Sequence, residues 1–114
     1  MVQQIIRQKY ILAIDQSTTS SSAFLVDRQG QIIASTTREI TQFHPQPGWV
    51  DQDLEELFQS TLTVAREVIA SANIKPQQLA AIGITNQRET TAVWDRESGR
   101  PVAPAIVWQC RRTA

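Results

Sequence analysis

The chain has 114 residues, a length typical of one small domain. Lys and Arg together number 11 and Asp and Glu also number 11, and this zero net charge argues against a nucleic-acid partner. One cysteine and one histidine exclude a disulfide or a Cys/His metal cluster within this chain. No stretch approaches the roughly 18 apolar residues of a membrane span, and the N-terminus does not resemble a signal peptide, so we expect a cytoplasmic protein.

Three strands are predicted in the first third of the chain. Residues 10–14 form an apolar run that is typical of a buried strand. Residues 23–26 and 31–39 predict a second and a third strand that pair as an antiparallel hairpin. A loop is expected at residues 43–49, because two prolines and a glycine there oppose regular structure.

One long helix is predicted after this loop. Asp53 has the character of an N-cap, and its spacing to Glu56 fits a capping box. The helix is expected to end near Ala72 and Asn73, ahead of Pro76. Its apolar residues recur at helical spacing and predict one buried face, which consists of Leu54, Leu57, Phe58, Leu62, Ala65, Val68 and Ile69.

The last third predicts a short helical turn at residues 77–80 and three more strands. The run 81–84 is compact and apolar, which indicates a strand buried on both faces. Residues 91–94 and 106–108 are the other two predicted strands. The order β-β-β-α-β-β-β predicts an α/β fold with a mixed sheet, in which a hairpin meander precedes a crossover helix that covers one face.

A run of six hydroxyl residues, 17–22, follows Asp15 in the predicted bend between the first two strands. Backbone N–H groups of a tight turn form an anion site, and hydroxyls add further donors. A carboxylate at Asp15 can hold Mg²⁺ directly or through water. Polar hairpin turns of this composition are also common, so a phosphate loop and a plain turn both stay open.

A second polar segment, residues 85–90, follows the predicted strand 81–84, at a position that favours ligand binding in α/β sheets. Arg88 is a pure donor and an ionised Glu89 a pure acceptor, so the pair suits the hydroxyls of a polyol. The alternative is a surface ion pair, worth about 0–1 kcal/mol. Trp108 is either a platform for polyol carbons or a core tryptophan.

Four other residues receive plainer interpretations. Trp49 and Trp94 are expected to be core or loop anchors, Cys110 an ordinary buried thiol, and His44 a surface residue.

Together these stretches resemble a known family. Residues 15–21 resemble the first phosphate loop of the FGGY sugar and polyol kinases, within the superfamily of actin, hexokinase and the heat-shock ATPases. Residues 47–50, 83–91 and 106–113 resemble the glycerol kinase branch of that family. The resemblance implies the N-terminal part of an actin-like, ribonuclease-H-like ATPase domain.

The activity that the resemblance implies is ATP-dependent phosphorylation of glycerol to glycerol 3-phosphate, with ATP and Mg²⁺ as cofactors. It also implies a role for individual residues. Thr18, Thr19 and Ser20 would contact the nucleotide phosphates, with Asp15 on the Mg²⁺ side of the loop; Arg88 and Glu89 would hydrogen-bond glycerol hydroxyls; and Trp108 would pack against the glycerol carbons.

Domain limits also follow from the resemblance. Residues 1–9 would be an N-terminal extension and residues 10–114 an incomplete kinase domain. The catalytic base, an Asp, is expected beyond Ala114, so we expect the chain alone to be inactive. Full-length family members are typically homo-oligomers. The alternatives are a non-catalytic remnant or interaction module of the same fold, and a related kinase for another polyol or sugar.

Two residues depart from the family pattern. Ser17 stands where the family usually has Gly, and a Ser would cost about 1–2 kcal/mol if that position required a positive φ. Ser22 stands where an Arg that helps to bind nucleotide is usual. The resulting hypothesis is weaker nucleotide binding than in typical members.

Overall fold

A computed structural model describes residues 9–114 of the chain. The predicted extension, residues 1–9, therefore lies outside the described residues except for Lys9. The elements in chain order are β1 (Tyr10–Gln16), β2 (Ser20–Val26), β3 (Ile32–Glu39), β4 (Asp51–Gln52), α1 (Leu54–Ser71), a 3₁₀ turn (Pro76–Gln78), β5 (Leu79–Thr85) and β6 (Ala105–Ile106).

Four strands form the main sheet, in the order β3-β2-β1-β5. β1 pairs antiparallel with β2, and β2 pairs antiparallel with β3. After the crossover through α1, β5 pairs parallel with β1. The predicted meander, crossover helix and mixed sheet are therefore confirmed.

The start and end of α1 lie close to the predicted positions. The backbone amide of Glu55 donates to Asp53 Oδ1 at 2.9 Å, which confirms the N-cap. The predicted capping box does not form, because the carboxylate of Glu56 accepts instead from the backbone amide of Thr41. The helix ends at the C-cap Ala72, and Asn73 follows with a φ of 54°. In the described part of the chain, no helix is long and apolar enough to cross a membrane.

The main core lies between α1 and the helix-facing side of β1 and β2. The predicted buried face of the helix was right for Val68, did not include the buried Val64, and was wrong for Phe58, which is 58% exposed. Phe58 lies about 80° around the helix axis from Val68, at 3.6 residues per turn, and therefore points past the sheet. The buried core residues are Leu12, Ile14, Ala23, Leu25, Val64 and Val68.

The prediction that residues 81–84 are buried on both faces was wrong. Ile82 and Ile84 pair with Leu12 and Ile14 of β1 and share their face of the sheet. Their exposed fractions are nevertheless 57% and 70%, because α1 packs over β1, β2 and β3 while β5 forms the edge of the sheet. An apolar run predicts a strand but carries no signal for what covers it.

The two predicted C-terminal strands were only partly right. Residues 91–94 form no strand and contribute isolated bridges, Thr91 to Ile106 and Trp94 to Pro101. The predicted strand 106–108 shortens to β6, which pairs antiparallel with β4 in a separate two-stranded sheet. Both corrections have the same cause, since an extended segment becomes a strand only where a partner runs beside it.

Candidate functional site

Two loops meet at the carboxyl ends of the neighbouring strands β1 and β5. β1 and β5 run parallel, and their register pairs Asp15 with Thr85. The turn 17–19 after β1 and the segment 86–90 after β5 therefore leave the sheet on the same side. The predicted hydroxyl bend is shorter than residues 17–22, because β2 already begins at Ser20.

The turn 17–19 closes with a hydrogen bond from the Ser17 amide to the Ser20 carbonyl at 2.8 Å. The Ser17 hydroxyl donates to Asp15 Oδ1 at 2.8 Å. The backbone amides of Thr18 and Thr19 donate to no other described residue. Adjacent unpaired amides in a turn form a concave site that suits an anion.

Glutamine side chains surround this turn from inside the molecule, which the sequence analysis missed. Gln52 is fully buried and donates to the Thr18 carbonyl at 2.6 Å, and Gln42 donates to the same oxygen at 3.2 Å. Gln16 donates to the Ser17 carbonyl at 3.0 Å, and Gln87 donates to it at 3.4 Å. No spacing rule marks these positions, because they come from four separate segments.

A chain of hydrogen bonds continues from Gln87 to the second loop. Thr90 Oγ1 donates to Gln87 Oε1 at 2.8 Å, and the Trp108 amide donates to Thr90 Oγ1 at 3.3 Å. The indole Nε1 of Trp108 then donates to Thr18 Oγ1 at 2.8 Å. The structure thus brings the predicted residues Thr18 and Trp108 into direct contact.

Arg88 and Glu89 lie between these anchored positions, and both side chains are exposed. Neither forms a hydrogen bond or ion pair with a described residue, so the alternative of an ion pair between them is not what the structure has. Glu89 has a φ of 67°, a left-handed conformation that is unfavourable for a residue other than glycine, asparagine or aspartate. Strain of this kind is concentrated at ligand sites.

Trp108 is 53% exposed, so the interpretation as a core tryptophan was wrong. Its indole N–H donates to Thr18, so the exposed ring is fixed at the junction of the two loops. Trp94 is likewise exposed rather than part of the core, and His44 is exposed as predicted.

The two departures from the family pattern have different structural positions. Ser17 does not have a positive φ, so the predicted backbone strain does not arise. Ser22 lies in β2 rather than in the turn, paired with Asp15, and its hydroxyl hydrogen-bonds Thr37 at 2.9 Å. The weaker nucleotide binding expected from the missing Arg stays a prediction.

Asp15 is an acidic residue in direct contact with the turn. Oδ1 accepts from Ser17, and Oδ2 accepts from no described residue. The described residues contain no group of three or more His, Cys, Asp or Glu side chains that could hold a metal. One carboxylate with a free oxygen fits Mg²⁺, which binds through one or two carboxylates, waters and substrate phosphates.

Arg112 connects Cys110 to the segment that contains Trp49 and Asp51. Its guanidinium forms an ion pair with Asp51 and stacks on Trp49, 4.0 Å from the ring centre. Its Nε donates to Cys110 Sγ at 2.9 Å. Cys110 is half-buried and hydrogen-bonded, so the prediction of an ordinary buried thiol was wrong, whereas Trp49 does anchor its loop.

This contact changes the acidity of the thiol. Burial raises the pKa of Cys110, but the hydrogen bonds from Arg112 and the backbone, together with the Arg112 charge, outweigh it and lower the pKa below the usual value.

We expect the rate of Cys110 alkylation by iodoacetamide to rise at a lower pH than for a free thiol. In Arg112→Met the pH profile of the alkylation rate should move to higher pH. In Arg111→Met, which changes an exposed side chain, the profile should stay in place. Unchanged profiles in both variants would contradict a role of Arg112 in lowering the pKa of Cys110.

The comparisons with known proteins agree with this architecture. A glycerol kinase of Plasmodium falciparum solved with ADP superposes with a TM-score of 0.82 at 35% identity, over 92% of this chain and 21% of that one. A xylulose kinase of Brucella ovis superposes with a TM-score of 0.81 at 24% identity, over 90% of this chain and 21% of that one, and shows the fold alone. The mixed sheet and its crossover helix thus define the N-terminal part of an actin-like, ribonuclease-H-like ATPase domain, as predicted.

Sequence similarity narrows this class. Residues 10–114 match the FGGY family of carbohydrate kinases, N-terminal domain, and the chain belongs to this family. A glycerol kinase of Caldanaerobacter subterraneus is 57% identical over 93% of this chain, and glycerol kinase 2 of Thermotoga maritima is 54% identical over 93%. The chain spans 21% of the length of each of these curated relatives.

Proposed function

We propose that the full-length protein carrying this chain phosphorylates glycerol with ATP to give sn-glycerol 3-phosphate. The observation that carries the proposal is the junction of the two loops, where the turn with the unpaired amides is hydrogen-bonded to Trp108 and to Gln87, the residue before the exposed Arg88 and Glu89. In phosphoryl transfer, the hydroxyl that accepts the phosphoryl group must lie in line with the nucleotide phosphate that donates it. Catalysis then depends mostly on positioning and charge neutralisation. The Caldanaerobacter subterraneus and Thermotoga maritima relatives, both above 50% identity, are glycerol kinases, which favours glycerol over another polyol or sugar.

On the nucleotide side, the Thr18 and Thr19 amides and the Ser20 hydroxyl are proposed to bind phosphate oxygens. Asp15 would hold Mg²⁺ through its free oxygen, and the bound ion would neutralise phosphate charge. The ADP in the Plasmodium falciparum structure supports nucleotide use in this fold.

On the acceptor side, Arg88 is proposed to donate to one glycerol hydroxyl and Glu89 to accept from its neighbour. Both side chains are exposed and unpaired among the described residues, so no existing contact has to break. The exposed ring of Trp108 is proposed to pack on the carbon chain and exclude water from it. We propose no catalytic base in this chain, and a cytoplasmic location for the whole protein.

The test is a coupled assay of ADP release by the native gene product. The protein is purified from its own cells, and its intact mass is measured to establish its length. We expect glycerol-dependent ADP release, with kcat/KM at least 100-fold lower for xylulose and gluconate, and no turnover by residues 1–114 alone. A higher kcat/KM for a sugar than for glycerol would show that glycerol is not the substrate. An inactive native product would favour the non-catalytic alternative, for which the exposed Ile82 and Ile84 predict self-association.

A further inference from the structure

Two peptide planes of the turn 17–19 are fixed from the protein interior. The Thr18 carbonyl accepts hydrogen bonds from the side-chain amides of Gln42 and Gln52, and the Ser17 carbonyl accepts one from Gln16. Gln87 Nε2 makes a longer, shared contact with the Ser17 carbonyl, because its two hydrogens are directed at Gln16 Oε1 and Gln52 Oε1.

The direction of each carbonyl determines the direction of the next amide. A trans peptide is planar, so its C=O and N–H bonds point to opposite sides, and every peptide bond described here is trans. With the carbonyls of Ser17 and Thr18 held inward, the N–H groups of Thr18 and Thr19 point outward. These are the two amides that have no partner among the described residues.

Gln52 and Gln87 are the central members of this arrangement. Gln52 is fully buried, and its Oε1 accepts from Gln87 Nε2 at 2.8 Å while its own Nε2 holds Thr18. Gln87 Oε1 accepts from Thr90, which leads through Trp108 back to the Thr18 hydroxyl. The hydrogen bonds therefore close a ring that contains both loops.

We propose that Gln52 and Gln87 are positioning residues, which aim the Thr18 and Thr19 amides at the nucleotide phosphates and lock the acceptor loop to them. The proposal deepens the proposed function and rests on it. Neither glutamine touches the substrate, and both act through the backbone of the turn. A polar ring with every member hydrogen-bonded specifies one arrangement, whereas an incomplete ring permits several.

The experiment replaces each glutamine with methionine, which has similar length and no hydrogen-bond donor. ADP is titrated calorimetrically into the full-length protein without glycerol. We expect Gln52→Met and Gln87→Met each to weaken ADP binding about 10-fold, the loss expected for one well-placed hydrogen bond. Gln59→Met, at an exposed position of α1, should leave the affinity unchanged. Val68→Ala, which loosens the core at a distance, should lower the melting temperature without weakening ADP binding.

A second measurement separates positioning from mere stability. In protein labelled with ¹⁵N at threonine and tryptophan, the Thr18 and Thr19 amide signals and the Trp108 indole signal should shift in Gln87→Met and stay in place in Gln59→Met. Unchanged signals, or unchanged ADP affinity in both glutamine variants, would overturn the proposal. Failure of the unsubstituted protein to bind ADP would instead overturn the proposed function, with the signal shifts still reporting whether the glutamines orient the turn.

Discussion

Glu89→Gly is expected to lower kcat/KM for glycerol about 10- to 150-fold in the full-length protein, since a hydrogen bond to a charged group contributes about 1.5–3 kcal/mol. The same change is expected to raise the free energy of unfolding by up to about 1 kcal/mol, because glycine removes the strain of a φ of 67°. A substitution that lowers activity but raises stability is typical of a residue that serves ligand binding. Steady-state kinetics and thermal unfolding measure the two effects.

The matched control is Glu89→Gln, which keeps the side-chain length and the strained φ but removes the negative charge. We expect it to lose activity in the same direction without the gain in stability. The assignment of Glu89 to the acceptor site would be wrong if Glu89→Gly kept the glycerol kcat/KM of the unsubstituted enzyme while becoming more stable.

Leu25→Ala is expected to have the largest effect on stability, about 2–5 kcal/mol in the free energy of unfolding of the 114-residue chain. Leu25 is fully buried in the second strand, lies between Leu12 and Ala34 in the sheet, and belongs to the core cluster covered by α1. Its truncation leaves a cavity that the rigid sheet cannot fill. Urea unfolding followed by circular dichroism measures the loss.

Two further variants keep this prediction testable if Leu25→Ala does not fold. Leu25→Val removes one methylene and should cost about 1 kcal/mol. Ile33→Ala, at an exposed position of β3 outside the buried core cluster, should change the free energy of unfolding by less than about 0.5 kcal/mol. Equal losses at Leu25 and Ile33 would contradict the assignment of the core to the helix side of the sheet.

The exposed isoleucines of β5 show one limit of reading burial from sequence. Ile82 and Ile84 lie in a run as apolar as that of β1, and only the placement of α1 over three of the four strands leaves them uncovered. Residues 91–94 also have strand composition but no neighbouring strand along their length. Composition determines whether a segment is able to be a strand, and its neighbours decide whether it is one.

The local structure of this protein and the chemistry of its single residues could be predicted from the amino-acid sequence. The cap at Asp53, the three-strand meander and the placement of polar residues after β1 and β5 all depend on neighbours within a few positions, where propensity and steric rules act. Contacts between residues that are distant in sequence follow from the packing of the elements. Gln16, Gln52 and Gln87 come together because β1, the segment before α1 and the loop after β5 converge at the carboxyl ends of β1 and β5. Hydrogen bonds between such distant segments depend on how the elements pack, and no periodicity of a single chain encodes that.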